Sequence, residues 1–179
     1  PRCGRGPVAG QVAGRAGMGR VRAERYRFVA FVTDDIEALP DADKVRGRAR
    51  FLDDTTLEID GRQRLKAGSI VIATGSSPVF PDAWRALGNL LATNEDVFDL
   101  SRLPGRLAVI GGGPIGVELA QALHRLGSTV TILQRRPHLI PRDDADLIDV
   151  LEHQFADEGI DVRLATRPTA ARREGADIV

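Results

Sequence analysis

LAVIGGGPIGVELAQALHRLGSTVTILQRR, residues 107–136, sets three glycines between an apolar run and an amphipathic stretch. Residues 107–110 read as a buried strand. Gly111, Gly113 and Gly116 fall at GxGxxG spacing, and Ile115, Leu119, Leu123 and Leu126 recur at helical intervals. Gly127 stops the helix, and residues 129–133 resume a β-branched strand. Strand, glycine loop, helix and strand in that order are what a dinucleotide-binding βαβ unit requires.

Each part has a physical task in such a unit. Gly111 permits the tight turn off the strand, Gly113 removes the side chain that would keep a pyrophosphate from the backbone, and Gly116 lets the helix pack closely on the sheet. Phosphate charge then meets the positive end of the helix, where unpaired N–H groups point. Pro114 suits the first helical turn, because its fixed φ is helical and its missing N–H is not needed there.

The residue closing the second strand discriminates between the two nicotinamide dinucleotides. An acid there accepts hydrogen bonds from a ribose 2′-OH, whereas a neutral residue beside arginines tolerates a 2′-phosphate. Here Gln134 is followed by Arg135 and Arg136, which leans towards NADP(H).

Composition bounds the rest. At 179 residues and 42% hydrophobic, the chain has the makings of a soluble globular protein, and no apolar run approaches the roughly 20 residues of a membrane span. Charge sums to zero, so the total suggests neither a nucleic-acid nor a membrane partner. Residues 1–27 carry seven arginines against Glu24 alone, which reads as a loose terminus rather than a nucleic-acid arm, and residues 1–19 read as disordered or non-native leader. The single cysteine, Cys3, has no partner for an intramolecular disulfide and suits a reducing cytoplasm.

Upstream of the glycine loop, residues 18–39 suggest a helix with Val21, Phe28, Val32, Ile36 and Leu39 near one packing face. Residues 45–51 and 56–59 suggest a hairpin around Asp53 and Asp54, with Arg46, Arg48 and Arg50 on its solvated face. Ser69 opens SIVIATGSSP, whose residues 70–73 read as a parallel strand buried on both faces. Thr74, Gly75 and Ser76 would then lie at its carboxyl end, where ligands bind in open α/β sheets. Downstream, an acidic helix over residues 143–158 buries Leu147, Ile148, Leu151 and Phe155, Gly159 caps it, and residues 160–164 form a third strand.

These segments, VRGRARFLDDTTLEIDG (45–61), IVIATGSSP (70–78), TNEDVFDLSRLP (93–104) and GGGPIGVELAQAL from Gly111, occur in an order that resembles the pyridine nucleotide-disulfide oxidoreductases. The likeness is greatest to the branch holding dihydrolipoyl dehydrogenase and mercuric reductase, and covers roughly residues 21–164. It implies an α/β fold in which a Rossmann-like parallel sheet of an NAD(P) domain (101–179) follows part of an FAD domain with a β-hairpin (20–100). It also implies FAD and NAD(P)H as cofactors, and hydride passing from nicotinamide to flavin and then to a small-molecule or protein-bound disulfide. Ala73, Thr74, Gly75 and Ser76 match the segment lying against FAD. Gly111, Gly112, Gly113, Pro114, Ile115 and Gly116 match the NAD(P) pyrophosphate loop. Glu118 matches a helix carboxylate near the nicotinamide, and Arg135 matches an arginine of NADPH-using relatives, while Gln134 stands where NAD-using relatives carry glutamate.

The family's redox cysteine pair, its first glycine fingerprint and its C-terminal dimerisation domain have no counterpart in this sequence, which therefore reads as an internal, inactive fragment of a homodimeric parent. His124, His138 and His153 do not match the family's acid-base histidine and read as surface residues. A flavin reductase without a redox disulfide, of the NADH oxidase or ferredoxin reductase type, and a non-catalytic dinucleotide-binding module are the alternatives.

Overall fold

In the computed structural model, residues 14–175 and 177–179 are described, and they form two compact units, residues 26–77 in one and residues up to 25 together with 78–179 in the other. In chain order the elements are α1 (Gly14–Glu37), β1 (Ala49–Phe51), β2 (Thr56–Ile59), β3 (Gln63–Lys66), β4 (Arg106–Ile110), α2 (Pro114–Arg125), β5 (Thr129–Leu133), α3 (Ala145–Glu158), β6 (Asp161–Arg163), β7 (Arg173–Glu174) and β8 (Asp177–Ile178). The fold is mixed α/β, with a parallel three-stranded sheet, an antiparallel three-stranded sheet and an antiparallel pair, β7-β8.

The parallel sheet runs β4-β5-β6, with Ala108 opposite Thr131 and Ile132 opposite Val162. Its central strand carries the burial: Val130 and Ile132 are fully covered, whereas Ile110 on the edge strand is 47% exposed. Val117 and Ala120 of α2 and Ile148 and Phe155 of α3 complete one apolar cluster with Leu139 and Ile160. Each large side chain so buried contributes about 1.5–3 kcal/mol, which holds the two helices on the sheet. Gly159 ends α3 in the left-handed conformation (φ 84°), its N–H bonding back to the last turn.

Several sequence expectations shift. The buried face of α2 is Val117, Ala120 and Leu123; Ile115 is exposed, and Leu119 and Leu126 are only half-buried. On α3, Ile148 and Phe155 are buried as expected and Leu151 is half-buried, but Leu147 is 66% exposed, because the face turned to the core is centred on Ile148 and Phe155. Helix α1 begins at Gly14, inside the stretch read as disordered, and Met18 is buried. Residues 1–13 lie outside the described residues. The face read as packing is open: Phe28, Val32 and Ile36 of α1 are exposed, as is Leu39, which lies beyond the end of α1 at Glu37.

The antiparallel sheet, β1-β2-β3, has a third strand beyond the expected hairpin, with Leu57 opposite Leu65. Asp53 makes the turn by accepting the N–H of Thr55 at 2.9 Å, which holds its carboxyl below the usual range. The first strand is shorter than residues 45–51 suggested, starting at Ala49. Before it, Gly47 adopts φ 150°, and the Arg48 N–H goes to the Asp60 carboxylate at 2.8 Å rather than to a ladder.

The largest departure is at residues 70–73. They form no strand, and Val71 and Ile72 are 87% and 70% exposed, because no strand among the described residues pairs with them.

Candidate functional site

The glycine loop is built as its spacing demands. Gly111 leaves β4 at φ 109°, a conformation that L side chains rarely adopt, while its N–H still reaches Leu133 O at 2.9 Å. A Cβ on Gly116 would overlap Gly111 O, so glycine here is the condition for the first turn of α2 to rest on the loop. Nothing lies within 4 Å of where a Cβ on Gly113 would stand. That residue is the N-cap of α2, Pro114 occupies the first helical turn, and no described side chain caps the helix. The positive end of α2 therefore carries no side-chain cap and begins at a glycine with open space where a side chain would stand.

Gly112 has a packing role that spacing did not disclose. A Cβ there would run into Leu139 Cδ2 and lie 3.3 Å from Gln134 Cβ, and its carbonyl accepts the Ile140 N–H at 2.7 Å. The signal was present as the middle one of three consecutive glycines, but its partner lies 27 residues on in sequence, beyond local pattern.

Gln134 is 5% exposed, and its side-chain amide donates to His138 O at 3.1 Å. One of its two amide N–H donors is thereby committed to the protein. Arg135 and Arg136 are exposed, and the described residues offer neither an ion-pair partner. Glu118 is exposed on α2, as is Ile115. The structure thus brings Gly111, Gly112, Gly113, Pro114, Ile115, Gly116 and Gln134 into one substructure. Ala73, Thr74, Gly75 and Ser76 belong to the other unit, where they are exposed, with Gly75 at φ 68° and open space about it.

His124 is not a surface residue. Its ring is half-buried, Nε2 lies 2.8 Å from Glu158 O, and Nδ1 is buried without a partner among the described residues. Beside it the Glu158 carboxylate accepts from Arg125 (2.6 Å and 3.1 Å), Gln154 (2.8 Å) and Gln121 (3.0 Å). Arg125 above all holds this carboxyl below its ordinary range, and the guanidinium is held more firmly protonated in return. This network joins the ends of α2 and α3. His138 and His153 are exposed. The ligand atoms of His138, Asp149 and Glu152 lie within 4.8 Å of one another, with Glu152 already engaged by the Leu139 N–H. No described helix is long and apolar enough to cross a membrane.

A parallel sheet flanked by α2 and α3, with a glycine loop at the carboxyl end of β4, defines a dinucleotide-binding class of fold. Comparison with known proteins agrees with it. Residues 10–179 match the family model of pyridine nucleotide-disulphide oxidoreductases, and the chain belongs to that family. It is 36% identical over 120 residues to mercuric reductase of Lysinibacillus sphaericus, covering 67% of this chain and 22% of that protein. It is 35% identical over 162 residues to dihydrolipoyl dehydrogenase of Thermus scotoductus, covering 83% and 32% respectively. Among solved structures, LpdA of Mycobacterium tuberculosis superimposes with a TM-score of 0.78 at 28% identity, over 90% of this chain and 38% of that one. The chain thus spans between a fifth and a third of the length of these two curated relatives.

Proposed function

We propose that this chain is the nucleotide-handling part of an FAD- and NAD(P)H-dependent disulfide oxidoreductase of the cytoplasm, with NADPH favoured over NADH. The observation that carries the reading is the open face at Gly113 and the uncapped positive end of α2, a donor set suited to a pyrophosphate. The same position would be closed by any side chain on Gly113. A dinucleotide held in this way would supply the hydride, and FAD the two-electron relay, for reduction of a disulfide.

The chain's own residues would bind and orient. Gly111, Gly113 and the first turn of α2 hold the diphosphate, Gly116 keeps that turn against the loop, and exposed Ile115 and Glu118 lie along the helix leading from it. Arg135, exposed beyond β5 and without an ion-pair partner among the described residues, is suited to a ribose 2′-phosphate, and Gln134 adds no negative charge to repel one. Ala73, Thr74, Gly75 and Ser76 would lie against FAD, where Gly75 admits close approach. The functional boundary between FAD and NAD(P) portions falls near Leu100. With Cys3 as its one cysteine, the 179-residue chain alone is expected to bind dinucleotide without reducing a disulfide, and homodimerisation and substrate choice belong to the whole enzyme.

Calorimetric titration of NADPH and NADH into the 179-residue chain tests this. NADPH is expected to bind more tightly, Gly113→Val to weaken it about tenfold or more, and Arg135→Glu to weaken NADPH but not NADH. Absence of binding to a chain that circular dichroism finds folded would remove the proposal.

A further inference from the structure

The loop between β5 and α3 lies directly against the middle of the glycine loop. Leu139 is fully buried and occupies the space that a side chain on Gly112 would need. The next residue, Ile140, sits at φ 40°, a conformation that β-branched residues rarely adopt and that persists only where surroundings impose it. What imposes it is visible. The Ile140 N–H donates to Gly112 O at 2.7 Å, Ile140 O accepts from Arg142 and Asp143, and the Gln134 amide holds His138 O. From α3, the Glu152 carboxylate accepts the Leu139 N–H at 2.9 Å.

These bonds have a geometric consequence. In a planar trans peptide the carbonyl and the following N–H point in opposite directions. Fixing Gly112 O on the Ile140 N–H therefore turns the Gly113 N–H away from residues 138–140. That N–H is one of the donors an anion at this loop would meet, and a freely rotating glycine peptide would have to be ordered on binding.

We propose that Glu152 is a positioning residue for the dinucleotide's diphosphate: by holding Leu139 it keeps the 138–140 turn under Gly112 and so fixes the direction of the Gly113 N–H. The inference rests on the dinucleotide-binding reading of the same loop. Glu152 touches no ligand in this account; it acts through two backbone hydrogen bonds and one buried leucine.

Two conservative variants of the 179-residue chain separate this role from a charge effect. Glu152→Asp keeps the charge but is one methylene short of Leu139, whereas Glu152→Gln keeps the reach and an acceptor oxygen. NADPH affinity is expected to fall about fivefold in Glu152→Asp, the size of one hydrogen bond, and to stay within about twofold in Glu152→Gln. Adenosine 2′-monophosphate, which has no diphosphate, is expected to bind all three chains alike; a loss common to both ligands would mark a merely structural role and overturn the proposal. Unchanged NADPH binding in Glu152→Asp, or an equal loss in both variants, also overturns it. Amide hydrogen exchange at Ile140, measured without ligand, is expected to accelerate in Glu152→Asp alone. If the unsubstituted chain binds no dinucleotide, the functional reading fails by itself, and unchanged Ile140 exchange in Glu152→Asp would then sink the brace independently.

Discussion

Residues 70–75 and 107–111 look alike as sequence: an apolar run of four residues that ends at or just before a glycine. They fold differently. The second run lies within β4, paired along its length with β5, and feeds a loop whose every glycine has a neighbour or a clearance to explain it. The first forms no strand and is unpaired, with Val71 and Ile72 largely exposed. Apolar content states that a segment needs cover; it does not state where the cover is. For residues 107–110 the partners follow within 60 residues, through two crossovers that each return a parallel strand. For residues 70–73 no described strand plays that part.

The contrast is sharpest in a matched pair of isoleucines. Ile132, fully buried at the centre of the parallel sheet, faces α2 and α3 residues of the core cluster. Ile132→Ala is expected to cost about 2–5 kcal/mol, the transfer term plus an unfilled cavity. Thermal or urea unfolding of the 179-residue chain measures it, with the far-ultraviolet helical signal following α2 and α3. A loss below about 1 kcal/mol would mean that the sheet collapses onto the gap, and that β5 is less rigid a platform for the glycine loop than its burial implies.

What could be read in advance divides along the same line. Gly111, Gly113 and Gly116 were legible because their reasons are local: a left-handed φ at a strand end, a clearance at a helix start, a helix turn resting on the residue five before it. Gly159 was legible for the same kind of reason. The packing of Gly112 on Leu139, with Glu152 behind it, was not, since the contact that links them joins three segments whose spacing carries no period. Ile115 and Leu147 were assigned to buried faces from helical spacing alone. That spacing fixes which residues share a face, but the sheet chooses the face, and it chose Val117 and Ala120 over Ile115. Residues 63–66 alternate too weakly in QRLK to announce β3, which forms because β2 offers a free edge.

A middle-sized test addresses the contact that makes the parallel unit one piece. Glu158 is 17% exposed and accepts four side-chain hydrogen bonds, three of them from Gln121 and Arg125 of α2. Arg125 itself is well exposed, so the ion pair as such adds little; the hydrogen bonds to a half-buried carboxylate are the larger part. Glu158→Ala is expected to cost about 1–2 kcal/mol. Because the folded carboxyl titrates below the ordinary glutamate value of 4.5, the folded state binds fewer protons than the unfolded one through that window. The stabilisation is therefore complete above 4.5 and is lost as the pH falls through the lowered value. Unfolding midpoints of the unsubstituted chain and of Glu158→Gln should converge on acidification, and parallel curves would assign the network no electrostatic share.

The smallest expected effect is the most instructive about residues 70–73. Ile72→Ala removes the same atoms as Ile132→Ala, but from a side chain that is 70% exposed and in no core cluster. Little apolar area returns to water, so the change should stay within about 0.5 kcal/mol, as surface substitutions do, in the same unfolding experiment. An isoleucine buried in an open α/β sheet would instead show a loss of the Ile132 kind. Finding such a loss at Ile72 in the 179-residue chain would mean that this run is covered after all, and the two stretches would differ in the identity of their cover rather than in having it. Finding none fixes the difference as physical: the glycine loop stands on a strand already stabilised by its own neighbours, while Thr74, Gly75 and Ser76 are carried on a run whose apolar surface is unspent.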